Sequence, residues 1–169
     1  LTTIHLQDPR LNPAFFDILI VPHHDPVRGK NVIVTKAALN SFSHDQITTA
    51  AKNLPKSWQT AVTPRVAVLI GGNNRRYRIS AGMTTRIANQ LEQFARSTSA
   101  SIFLIPSPRC PEHVLHHLQT SLEGTNYFVT ERKQTNPYPG ILGIVDAIIV
   151  TSDSVNMVSE AASTGKPVM

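Results

Sequence analysis

Apolar positions along the chain fall into short unbroken runs, separated by longer stretches in which they recur every three or four residues. The runs are Asp17–Val21, Asn31–Thr35, Val66–Ile70, Ser101–Ile105, Tyr127–Val129 and Ala147–Val150. Each is bounded by proline, glycine or polar turn residues and predicts a strand buried on both faces. The periodic stretches predict helices over about 44–53, capped by Ser43, and from Ser80 or Thr84 to about Ser97, with Ile87, Leu91 and Phe94 on one side. Further helices are predicted over Pro111–Leu122, Pro137–Ile144 and Val155–Ser163. Buried strands alternating with amphipathic helices mean a parallel sheet covered on both faces. Residues 65–169 therefore read as a doubly wound, Rossmann-like α/β domain. Residues 1–60 read as the end of a preceding α/β domain plus a linker, the polar stretch 54–60 with Pro55 near its start and Pro64 beyond its end.

Length and composition narrow this picture only slightly. The chain has 169 residues, 41% hydrophobic and 16% charged, as in an ordinary globular domain. One cysteine rules out a disulfide framework and fits a reducing compartment, so a cytoplasmic location is expected, peripheral to a membrane at most. No apolar run approaches the roughly 20 residues of a spanning helix. The chain opens on Leu1 and closes on Gly165–Met169, which resembles the start of a buried strand, so a fragment is expected. The net charge is +5, and its densest cluster is Arg75-Arg76-Tyr77-Arg78 after a Gly-Gly turn. With no basic stripe elsewhere, this points to a local anion site and away from a nucleic-acid track.

Ligands of doubly wound sheets bind beyond the carboxyl ends of the strands, where the strand order reverses. Three loops there carry candidate residues. In Gly71-Gly72-Asn73-Asn74-Arg75-Arg76, glycines after a strand let backbone N–H groups approach a phosphate, although an ordinary tight turn reads the same way. The third glycine of the dinucleotide fingerprint is absent, which argues against a nicotinamide-dependent enzyme, and no P-loop is present. In Pro106-Ser107-Pro108-Arg109-Cys110-Pro111, Ser107 offers a hydroxyl and Arg109 a planar fork suited to phosphate. Cys110 has no base beside it and reads as a small buried residue. In Thr151-Ser152-Asp153-Ser154, either Asp153 or Ser154 can cap the helix that follows. Glu160, two turns into that helix, could accept hydrogen bonds from ribose hydroxyls or stand in solvent.

Two histidine groups invite a metal reading. His113, His116 and His117 fall at helical spacing, but a surface face explains them, and no metal is expected. His23-His24-Asp25 ends a strand, with Asp25-Pro26 as a turn initiator.

Several blocks together resemble one family. They are Pro22-His23-His24-Asp25, Arg28-Gly29-Lys30-Asn31-Val32, Ile70-Gly71-Gly72, Ser107-Pro108-Arg109-Cys110-Pro111 and Asn136-Pro137-Tyr138. Most specific is the run from Val150-Thr151-Ser152-Asp153-Ser154 through Met157-Val158-Ser159-Glu160-Ala161 to Thr164-Gly165-Lys166-Pro167-Val168. They resemble the "elongated mitochondria" mitochondrial-fission family, in a bacterial-type version without the plant insertion after the His-Asp element. Where the family usually has Ser-Arg-Arg-Thr-Pro, this chain has Pro108 and Cys110 at the second and fourth positions.

The family is in turn similar to two-Rossmann-domain (GT-B type) glycosyltransferases. That resemblance implies a nucleotide-diphosphate-sugar in the interdomain cleft, with Gly71 and Gly72 at the diphosphate and Glu160 at the ribose; Asn73, Arg75, Ser107, Arg109 and Ser154, from the loops read above, complete the expected binding set. His24 and Asp25 are the implied candidates for a base, and no resident cofactor is expected. It equally implies an alternative, a non-catalytic adaptor that recruits a protein partner, a dynamin-like GTPase in plant relatives. Neither reading requires nucleic acid.

Overall fold

Four runs from Val66 onward are apolar at nearly every position, which suits strands covered from both sides. The structure, a computed structural model that describes residues 1–40, 42–74, 77–130 and 136–169, pairs these runs into one parallel sheet. The chain divides into two compact units, Leu1–Ser41 and Phe42–Met169.

The first unit holds β1 (Ile4–Leu6), β2 (Ile18–Pro22) and β3 (Val32–Thr35) in a parallel three-stranded sheet with β2 in the centre. Leu19 and Val21 of β2 are fully buried. The Asp17 carboxylate accepts hydrogen bonds from the Thr3 N–H at 2.7 Å and hydroxyl at 2.9 Å, which hold it below the usual carboxylate range. Asn31 ties the start of β3 to the β1–β2 connection by donating to the Pro13 and Phe16 carbonyls.

The second unit begins with α1 (His44–Lys52) and the short α2 (Lys56–Gln59). Ser43 and Gln46 form a reciprocal capping box at the start of α1, as the sequence predicts for Ser43. Then follow β4 (Arg65–Ile70), α3 (Ala81–Thr98), β5 (Ser101–Pro106), α4 (Glu112–Ser121) and β6 (Tyr127–Val129). The unit closes with α5 (Tyr138–Ile144), β7 (Ala147–Val150) and α6 (Val155–Ser163). Residues 42–60, expected ahead of this domain, lie within its compact unit: α1 packs against α5, and Trp58 of α2 sets its ring edge-on to Phe103 at 5.8 Å.

The sheet order is β6-β5-β4-β7, all parallel, with Val168 bridging to Ile148 beyond β7. Alternation along the strands sorts the core into two layers. Val66, Val68, Ile70, Ile102 and Leu104 face α3 and α4. Ala67, Leu69, Phe103, Ile105 and Ile148 face α5, α6 and the Leu54–Trp58 segment. The fold is therefore a doubly wound α/β sheet. The chain leaves β4 in one direction for β5 and β6, then returns to place β7 on its other side. The switch point lies between β4 and β7, and their loops open onto it.

Candidate functional site

Parallel pairing brings the loops after β4, β5 and β7 to one edge of the sheet, although about 80 residues separate the first from the last. There they interlock. The Gly71 N–H donates to Thr151 Oγ1 at 2.8 Å, and the Gly72 N–H donates to Asp153 Oδ2 at 2.7 Å. Thr151 Oγ1 donates in turn to Asp153 Oδ1 at 2.6 Å, and Asn74 Nδ2 reaches the Asp153 carbonyl at 3.1 Å. The two glycines are needed for space. A Cβ on Gly71 would lie 2.0 Å from the Asp153 carboxylate, and one on Gly72 would lie 2.2 Å from the Arg109 main chain. Both amides that the sequence reading offered to a diphosphate are thus engaged by the protein's own side chains.

The rest of the β4 loop is shaped by its asparagines. Asn73 Oδ1 accepts the Ile79 N–H and Asn74 Oδ1 the Tyr77 N–H, each at 2.9 Å. Arg75 and Arg76 lie outside the described residues. In the β5 loop, Ser107 is buried and its N–H donates to the Ile70 carbonyl at 2.7 Å, while Arg109 is exposed. Cys110 is buried in the α3–α4 core layer, the structural role the sequence suggests.

At the third loop, Ser154 occupies the N-cap position of α6 with extended backbone, yet its side chain makes no capping hydrogen bond. No acidic residue stands in the first turn of this helix. Its first-turn amides therefore lack the side-chain partner that an N-cap residue ordinarily supplies. Glu160 lies six residues on, about 9 Å along the axis at 1.5 Å per residue. It is half-buried, and its Oε2 accepts the Tyr138 hydroxyl at 2.9 Å. Burial, then the Glu160 charge and this hydrogen bond, push the Tyr138 phenol well above its usual range. Tyr138 also packs edge-on against Phe42, with ring centroids 5.5 Å apart. Beside these loops, an apolar cavity of about 350 Å³ is walled by Ile70, Tyr77, Met83, Ile87, Ile149 and Val150.

His24 and Asp25 belong to the first unit. There the His24 Nε2 stands 3.7 Å from Asp25 Oδ1, at the end of β2. The Arg28 guanidinium shapes this turn, donating to the carbonyls of His23 at 3.0 Å, Val27 at 2.7 Å and Asp25.

The structure thus brings Gly71, Gly72, Ser107, Arg109 and Ser154 to one sheet edge. Glu160 sits farther along α6, in the grip of Tyr138. Asp153 and Tyr138 are the residues whose part the sequence reading missed. Asp153 was visible only as a cap candidate, and Tyr138 only inside an Asn-Pro-Tyr block. Among the described residues, no group of His, Cys, Asp or Glu side chains is arranged to hold a metal ion, and no helix is long and apolar enough to cross a membrane.

Residues 1–169 match the family described as Mitochondrial fission ELM1. The chain belongs to this family. Mitochondrial fission protein ELM1 of Arabidopsis thaliana is 27% identical over 189 residues, covering 98% of this chain and 44% of that protein. An uncharacterized protein, RP120, of Rickettsia prowazekii (strain Madrid E) is 27% identical over 197 residues, covering 97% of this chain and 56% of that protein. This member of the ELM1 family spans about half the length of the curated relatives it matches. A solved structure of POFUT1 in complex with GDP overlaps 82% of this chain and 53% of that chain, at 14% identity and a TM-score of 0.48.

Proposed function

We propose that the Phe42–Met169 unit binds a nucleotide-diphosphate-sugar, or a phosphorylated small molecule of the same kind, at the carboxyl edge of β4, β5 and β7. The observation that carries this reading is the bare start of α6 at the switch point of a doubly wound sheet. Unsatisfied first-turn amides and the positive end of the helix dipole favour a phosphate. The exposed Arg109 belongs to the same interlocked loops and supplies a forked donor. Since Thr151 and Asp153 take the Gly71 and Gly72 amides, the glycines wall the site and the α6 amides hold the anion. Glu160 keeps one carboxylate oxygen beyond its bond to Tyr138, and accepts from the ribose hydroxyls with it. Transfer of the sugar further requires a base, and His24 with Asp25 in the first unit are the candidates.

The test is thermal unfolding with and without uridine or guanosine diphosphate. A ligand present at 100 times its Kd stabilises by about 2.7 kcal/mol. Glu160→Ala should remove most of the resulting rise in Tm. Unchanged melting with every nucleoside diphosphate at millimolar concentration overturns the reading.

The second reading is an adaptor that recruits a protein partner. It is favoured by the apolar cavity beside the loops, at whose rim Tyr77 and Met83 are about half exposed. It predicts melting that is insensitive to nucleotides, and partner capture that survives Glu160→Ala.

A further inference from the structure

The sequence places two strong capping residues, Asp153 and Ser154, at the start of α6, and neither caps it. Ser154 is only 9% exposed, and among the described residues its hydroxyl has no hydrogen-bond partner. The Asp153 carboxylate is drawn across the sheet edge to the Gly72 N–H and the Thr151 hydroxyl, and lies flat on Gly71. A capping side chain ordinarily stabilises its helix, and here that gain is forgone. At the same time Val155 and Asn156, the first residues of α6, are exposed.

We infer that Asp153 is a positioning residue. By clasping the loop after β4, its carboxylate fixes the 151–154 turn so that α6 begins uncapped and its first amides stay open to an anion. The inference rests on the phosphate site proposed above and adds a residue to it, one that touches no ligand.

The sign of its effect separates positioning from simple electrostatics. Asp153 immediately precedes the helix start, so its negative charge opposes an incoming phosphate. If charge alone mattered, Asp153→Asn, which keeps the shape and loses the charge, would tighten anion binding. Positioning gives the opposite result, because the loosened turn lets residue 153 or Ser154 close on the α6 amides.

Pyrophosphate titrated into the full chain, followed by calorimetry and amide NMR, decides between them. Wild-type protein should shift the Val155, Asn156 and Met157 amide resonances, and Asp153→Asn should bind at least tenfold more weakly. In the absence of ligand, hydrogen exchange at the Asn156 or Met157 amide, the positions an N-cap side chain bonds, should slow at least tenfold in the variant as the helix becomes capped. A general loss of structure would speed exchange instead. Thr151→Val, which removes one arm of the clasp and keeps the charge, should weaken binding in the same direction, and serves if Asp153→Asn does not fold. Equal or tighter binding in the variants overturns the inference and leaves the phosphate site standing. If neither protein binds pyrophosphate or a nucleotide, the phosphate site falls. Exchange alone then judges the clasp, which slowing in the variant supports and unchanged rates overturn.

Discussion

Two glycine-to-alanine substitutions should move stability in opposite directions, and the structure gives the reason for each. Neither Gly72 nor Gly82 has a positive φ, so backbone strain does not enter and the comparison turns on space. At Gly72 the new methyl would lie 2.2 Å from both the carbonyl carbon and oxygen of Arg109. Ordinary contact between such atoms begins near 3.5 Å, so the Arg109 main chain must retreat by roughly 1.3 Å. That chain is anchored next door by the Ser107 N–H bond to Ile70 at 2.7 Å, and Gly72 itself is anchored by its bond to Asp153 at 2.7 Å. Overpacking of a tight contact costs about 1–3 kcal/mol, and loosening one such hydrogen bond about 1 kcal/mol more, so Gly72→Ala should lose about 3 kcal/mol. Gly82 is the second residue of α3 and has nothing within 4 Å of its added methyl. There the change only reduces the freedom of the unfolded chain and raises helix propensity, a gain of up to about 1 kcal/mol. For a domain of this size the two correspond to a fall of about 10 °C and a rise of about 3 °C in Tm. Thermal unfolding followed by circular dichroism measures both. A Gly72→Ala protein that melts at or above wild type would refute the interlocked-loop geometry on which the candidate site depends.

Tyr138 should remain protonated as pH rises past 10 while the protein stays folded, because burial and the Glu160 charge both oppose its phenolate. The phenolate absorbance at 295 nm should therefore rise equally in wild type and Tyr138→Phe between pH 9 and 11, and an extra ionisation in wild type would contradict this. Because the folded value is raised, the stability Tyr138 contributes is complete below pH 10 and declines above it, as the unfolded phenol begins to ionise. Lys166 Nζ donates to the carbonyls of Gly143, at 2.9 Å, and Val145 at the end of α5, and burial lowers its ammonium while Asp146 opposes that shift. Lys166→Met keeps the stem and loses the donors, so urea unfolding should show a loss of about 1 kcal/mol.

The elements of the second unit were legible because a strand buried on both faces leaves no polar position to blur it. Val66–Ile70 and Ser101–Ile105 appear in the sequence as they do in the sheet, each lengthened by one residue at an end. Ser43 announced its helix, and Ser80, one of the two starts offered for the next, caps α3 with its hydroxyl. The short elements were hidden. With only three residues in β1 (Ile4–Leu6), no alternation can register. In α2 (Lys56–Gln59), a polar stretch between prolines turns helical because Trp58 packs on Phe103 and Phe128. Local propensity favoured a linker there, and tertiary packing prevailed.

The same distinction explains why the site was only half legible. A sequence shows that Asp153 can cap a helix and that Gly71 and Gly72 can receive an anion, and both are statements about neighbours in the chain. It does not show that the Gly72 amide is taken by Asp153, 81 residues away, and the Gly71 amide by Thr151. That outcome depends on the sheet order, which sets β7 rather than β6 beside β4 and so delivers the β7 loop to the glycine amides. With its carboxylate engaged there, Asp153 does not cap α6, and the Ser154 side chain makes no capping hydrogen bond either. The glycine turn and the bare helix start are therefore one feature with two ends. A change at either end should be felt at the other, so under the phosphate-site proposal a methyl group on Gly72 and a lost charge on Asp153 should both alter anion binding at the start of α6.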